Sequence, residues 1–132
     1  MTELRALTPH SVIPAEQASR DRHQKRLLRT FLPELVQLER QLAEAPDFVS
    51  TQVAGRVVVG PMGLPIYRVD LGTPATDVPV VLIVGGVHGL ERIGSQVVMA
   101  WLDSLLARLG WDQHLNALLE KVHITLLPIM NP

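Results

Sequence analysis

The 132-residue sequence contains no cysteine. That excludes disulfides, thiolate nucleophiles and cysteine-ligated metals, and it fits a reducing, cytoplasmic setting. Aromatic residues are scarce, 4% of the chain, so a core must be built from aliphatic side chains. Basic charge is not in excess either. The formal net charge is −1, which argues against nucleic acid or an anionic membrane surface as the main partner. No run is long and apolar enough to span a bilayer, and the first 26 residues lack the apolar core of a signal peptide. What is present is 47% apolar and 19% charged, the balance of a globular chain of about one small domain. Oligomeric state is left open.

Residues 1–14 carry Pro, Ser and Thr and read as a flexible N-terminal arm. From Glu16 the pattern turns helical, with Leu27, Leu28, Phe31, Leu35, Leu38 and Leu42 near one face. Pro33 fits a first helical turn but not a helix interior, so two helices, or one kinked helix, are expected to meet near Leu32. Two β-rich runs, 53–59 and 65–71, flank a Pro/Gly turn and predict a hairpin with a longer loop. The run VPVVLIV, residues 78–84, is apolar throughout, which predicts a strand covered on both faces in the middle of an α/β sheet. A helix follows, with Val97, Val98, Trp101, Leu102, Leu105, Leu106 and Leu109 as its apolar stripe and Gly110 as its stop. Asp112 is placed to cap a short second helix through about Glu120. VHITLLPIM is a further strand, so the order strand–helix–strand predicts a βαβ unit with a right-handed crossover.

The stretch VVLIVGGVHGLERIG concentrates the chemistry. His88 and Glu91 follow the apolar strand where open α/β sheets gather functional groups. Gly85 and Gly86 allow a sharp turn there. Glu91 lies near the next helix start, where the dipole favours a carboxylate. An imidazole and a carboxylate off one edge are donors suited to zinc, but a catalytic zinc uses three protein ligands plus water. The bare His-x-x-acid spacing arises by chance in about four chains of ten of ordinary composition, so its placement carries the argument. Rival readings of the loop fail on their mechanics. GLERIGSQ has the Gly-x4-Gly frame of a phosphate loop, but Ser95 and Gln96 follow where Lys and Ser/Thr are needed. Neither a Gly-x-Gly-x-x-Gly nor a Gly-x-Ser-x-Gly pattern is present.

These residues resemble those of the zinc metallocarboxypeptidases, the M14 or funnelin-type peptidases. GGVHGLERIG resembles their His-x-x-Glu zinc motif, LLPIMNP their strand leading into Asn-Pro-Asp-Gly, and GPMGLPIYRVDLG their early hairpin, with Leu64 where Arg is common. The resemblance covers residues from about 33 to 132. It implies an α/β fold: a partial mixed, mostly parallel sheet with helices packed on it and on both its faces, the truncated N-terminal part of a zinc carboxypeptidase-like catalytic domain over 15–132. It implies one zinc, with His88 and Glu91 as its first two ligands, and hydrolysis of a C-terminal peptide or similar amide bond by metal-activated water. Two departures stand out. Leu90 occupies a position where some members carry a substrate-contacting arginine. The third ligand, the general base and the carboxylate-binding arginine fall beyond Asn131-Pro132, so the chain is expected to be an inactive fragment with no catalytic residue of its own.

Other candidates have plainer readings. His123 should start a parallel strand, at the sheet edge opposite His88, and is read as a surface or packing histidine; His114, His10 and His23 lack a partner pattern. Asp103 and Glu120 fall on solvated helix faces, Trp101 reads as core, and Trp111 as interhelix packing. Asn131 is read as shaping its loop, and Arg92 as a solvated arginine. A zinc-dependent deacylase of the aspartoacylase and succinylglutamate desuccinylase kind shares the His-Gly-x-Glu loop, so acyl-amino acids stand beside peptides as substrates. A non-catalytic α/β binding module is the other alternative.

Overall fold

Pro33 sets the first corner of the chain. The computed structural model describes residues 15–132, so the N-terminal arm lies outside the described residues. Helix α1 spans Ala15–Phe31 and α2 spans Pro33–Ala43, with Leu32 between them at φ −141° and ψ 64°. Proline takes the first turn of α2, where its missing N–H is no loss. The break divides the apolar stripe. Leu35 and Leu38 are fully buried, whereas Phe31 is turned out to solvent.

Strands β1 (Ser50–Val59) and β2 (Met62–Gly72) form the expected antiparallel hairpin. Its loop is only Gly60–Pro61, shorter than the sequence suggested. Gly60 supplies a φ of 58°, which lets pairing continue to Val59 and Met62 at the tip. The register shifts between Val53 and Gly55, a bulge that adds twist to the edge strand. Strand β3 (Val80–Val84), helices α3 (Ile93–Leu109) and α4 (Gln113–Leu119), and strand β4 (His123–Leu127) follow. Asp112 caps α4 as expected, accepting the Leu115 N–H at 3.0 Å. That amide and the Arg108 guanidinium hold the Asp112 carboxyl below the usual carboxylate range.

The sheet order is β1-β2-β4-β3. The fold is mixed α/β; β3 and β4 are its parallel pair, and the other two pairings are antiparallel. Because side chains alternate between faces, the paired residues Val69, Leu71, Ile124 and Leu126 share one face. They pack with Val98, Leu102 and Leu105 of α3 and Leu119 of α4. A second cluster joins Leu35 and Leu38 of α2 to Leu64, Met99 and Ile129.

The opposite face is a correction to the sequence reading. Val80 and Leu82 of β3 are 63% and 60% exposed, so this strand is not covered on both faces. Strand β4, last in the chain, inserts between β2 and β3 and leaves β3 at the edge. Among the described residues the core helices pack against the other face. The α3 stripe is also rotated: Ser95, Val98, Met99, Leu102 and Leu105 are buried, whereas Val97 and Trp101 are exposed. Trp111 is likewise exposed rather than packed between helices.

This asymmetry sets the energetics. Leu102→Ala should cost about 2–5 kcal/mol in urea denaturation, the range for a fully buried leucine. Leu82→Ala should stay within about 0.5 kcal/mol, as for an exposed site.

Candidate metal centre

Strand β3 ends where two backbones meet. Gly85 N–H donates to Leu127 O at 2.9 Å, and the carbonyls of Gly85 and Gly86 accept the N–H groups of Met130 and Asn131, each at 2.9 Å. A Cβ at Gly85 would lie 2.6 Å from Pro128 O and 2.8 Å from Gly94 O. Gly86 has a φ of 60°, and a Cβ there would collide with Ser95 Oγ. Both positions therefore require glycine, and the sharp exit anticipated at Gly85–Gly86 is realised.

The chain then forms one hydrogen-bonded turn. Glu91 N–H donates to His88 O at 2.9 Å. His88 and Glu91 are thus the first and fourth residues of a four-residue turn, a geometry that keeps their Cα atoms within about 7 Å. Both side chains are exposed at the edge where β3 and β4 end. Glu91 precedes the N-cap, Arg92, so the amide end of α3 faces its surroundings. Gly89 backs onto Asn131; a Cβ there would lie 3.2 Å from Asn131 O. Asn131 thus shapes the loop, as its position suggested.

The donor chemistry fits part of a zinc site: one imidazole and one carboxylate on one turn. Among the described residues no group of three or more His, Cys, Asp or Glu side chains is placed to hold a metal. The pair alone is one short of the three protein ligands that a catalytic zinc uses.

The remaining candidates are dispersed. His23 and His114 are exposed on α1 and α4, and His10 lies outside the described residues. His123 pairs in register with Val80, at the far end of β3 from His88, as expected. There its ring joins a network that sequence reading missed. His123 Nε2 lies 2.9 Å from Asp70 Oδ1, and Nδ1 lies 3.0 Å from Thr73 O. Thr125 Oγ1 donates to Asp70 Oδ1 at 2.6 Å, and Arg68 Nε stands 2.8 Å from Oδ2. These groups sit 2 residues apart on β2 and on β4, and only the strand pairing brings them together. Arg92 is exposed, as expected, and it also donates to Phe31 O at 2.7 Å and faces the buried Glu34 carboxylate.

Comparison with known proteins gives this geometry its context. The sequence profile of the family described as Zinc carboxypeptidase (Peptidase M14) matches residues 35–132. The chain belongs to the zinc carboxypeptidase family. Bovine (Bos taurus) Carboxypeptidase B is 26% identical over 93 residues, 70% of this chain and 22% of the relative. The solved metallo-carboxypeptidase of Burkholderia cenocepacia is 27% identical, with a TM-score of 0.53, over 79% of this chain and 25% of that one. A Shewanella denitrificans protein assigned as a carboxypeptidase A has the same fold, with a TM-score of 0.58 and 24% identity, over 70% of this chain and 23% of that one. This zinc carboxypeptidase-family chain therefore spans about a quarter of the length of these relatives.

The Asp70 network gives the family chain a pH signature away from the His88–Glu91 turn. Burial alone would raise the Asp70 pKa. Hydrogen bonds from Arg68, Thr125 and His123, with the Arg68 charge, outweigh it and hold the carboxyl below the usual range. A depressed carboxylate stabilises the fold above its unfolded pKa of about 3.9, and this contribution is lost as pH falls through the folded value. Asp70→Asn should cost about 1–3 kcal/mol at neutral pH, at the low end because Arg68 is partly solvated. The gap between the two proteins in urea titrations should narrow as pH drops below about 4.

Proposed function

We propose that residues 15–132 form the N-terminal part of a zinc carboxypeptidase-like catalytic domain, and that His88 and Glu91 are two of its zinc ligands. The observation that carries this reading is the single turn, closed by Glu91 N–H to His88 O, at the shared exit of β3 and β4 in a chain of this family. In this reading the third ligand and the general base come from outside the described residues. The activity is hydrolysis of a C-terminal peptide bond or a similar amide, and the substrate is a peptide. The bovine relative, a carboxypeptidase by name, supports a peptide over an acyl-amino acid. A cytoplasmic setting is part of the same proposal.

This chain's own contribution is to present and orient two donors. His88 offers a ring nitrogen, and the turn hydrogen bond sets its backbone relative to that of Glu91. Glu91 offers carboxylate oxygen from a position where the α3 dipole favours negative charge. Gly89, lacking a Cβ, lets Asn131 approach closely behind the turn. When bound, zinc supplies Lewis-acid activation of water and polarisation of the scissile carbonyl.

Metal titration of the purified chain tests the ligand assignment. Zinc binding should be weak, because two protein ligands are fewer than the three or four of known sites. His88→Ala and Glu91→Ala should each abolish saturable binding in calorimetry, while His114→Ala and His123→Ala leave it unchanged. Binding that survives both turn substitutions, or that disappears with His123→Ala, would reject the assignment.

A further inference from the structure

A buried carboxylate stands behind the metal turn with no role yet given to it. Glu34 opens α2, and its side chain is 6% exposed. Its Oε1 accepts a hydrogen bond from Gln96 Nε2 at 3.1 Å, but its Oε2 has no hydrogen-bond partner. The cation facing that oxygen is Arg92, with Nε at 3.8 Å, too long for a hydrogen bond but close enough for charge pairing. Arg92 also donates from Nη2 to Phe31 O at 2.7 Å. Phe31 ends α1, where a carbonyl lacks its intrahelical partner and the helix dipole favours a cation. One arginine thus binds the end of α1 and the start of α2 together, and its own backbone follows Glu91 directly.

We propose that Arg92 and Glu34 are positioning residues for the His88–Glu91 turn, acting as a clamp that fixes the backbone just past the second metal ligand. The proposal rests on the metal reading above. Three features favour it. A buried carboxylate with one oxygen unbonded is costly to keep, so a packing role alone would be better filled by an apolar residue like its neighbour Leu35. The two residues that hold it, 92 and 96, straddle the start of α3, so the clamp fixes where the helix begins. Arg92 at the N-cap has no side-chain cap bond of its own, so its guanidinium is committed to the α1–α2 joint instead.

A role in merely joining helices is separable, because α2 and α3 have a second link. Gln41 Nε2 donates to Met99 O at 3.0 Å and to Asp103 Oδ1 at 2.6 Å, well away from the turn. Amide exchange in the metal-free chain reads the turn directly through the Glu91 N–H. Arg92→Met should speed exchange at Glu91 by about tenfold relative to the Val69 and Leu126 amides, and Glu34→Gln by a smaller factor. Gln41→Ala should leave Glu91 exchange unchanged. Unaltered Glu91 exchange in Arg92→Met would overturn the clamp, as would an equal change in Gln41→Ala or a rise only in step with Val69 and Leu126. A cobalt(II) titration of the same proteins, followed by broadening of the His88 ring resonances, should show weaker binding in Arg92→Met. Absence of broadening in the unsubstituted chain would instead overturn the metal reading, and with it the clamp's purpose, while the exchange data still decide whether the clamp exists.

Discussion

The close approach of two backbones at Gly85–Gly86 and Pro128–Asn131 is the constraint on which the site depends. No side chain fits there: a Cβ at either glycine would run into backbone or into Ser95. The three hydrogen bonds across this crossing extend the β3/β4 pairing past the formal strand ends. They fix the level at which the chain leaves the sheet, and so the level of His88 and Glu91. Gly94 lies on the other side of the same crossing, so the start of α3 is set by it as well. An alanine at position 85 would press on the backbone of both Pro128 and Gly94, so it would force a shift at the strand exit and at the start of α3.

The sheet's two faces are built from different physics. One is apolar and covered, with Val69, Leu71, Ile124 and Leu126 under α3 and α4. On the other, the strand partners Asp70 and Thr125 sit with Arg68 and His123 in one hydrogen-bonded group. Because that group includes a buried carboxylate, each of its three partners, Arg68, Thr125 and His123, offsets part of the cost of keeping that charge out of water. It ties β2 to the beginning of β4 by side chains, while the glycine crossing ties β3 to the end of β4 by backbone alone.

Much of this was legible in the sequence because it is local. The break at Pro33, the hairpin, the Asp112 cap and the βαβ order each follow from residues within a few positions of one another. The His88–Glu91 turn belongs to the same class, since its spacing and its flanking glycines lie in a single stretch. What was not legible depends on pairing between distant segments. The apolar run of β3 looks interior, and only the insertion of β4 beside β2 makes it an edge. Trp101 and Val97 fall within the helical stripe by periodicity, yet the buried face of α3 is centred on Val98, Met99 and Leu102. Asp70 and His123 are 53 positions apart, and Arg92 and Phe31 are 61 apart, so no motif scan would join them.

The composition of β3 bears on how the site is completed. Strands that end a sheet commonly carry a charge, a proline or a bulge that discourages further pairing. Residues 80–84, VVLIV, have none of these. The strand is written as an interior one, and its outward side chains Val80 and Leu82 are those of a face meant to be covered. The turn beside it has a matching character, offering two donors of the right chemistry where a catalytic zinc needs three. The exposed side chains lie along β3, and the turn follows directly from its C-terminal end. The uncovered apolar side chains of β3 and the two-donor turn thus belong to one continuous stretch of chain, residues 80–91, with the glycine crossing between them.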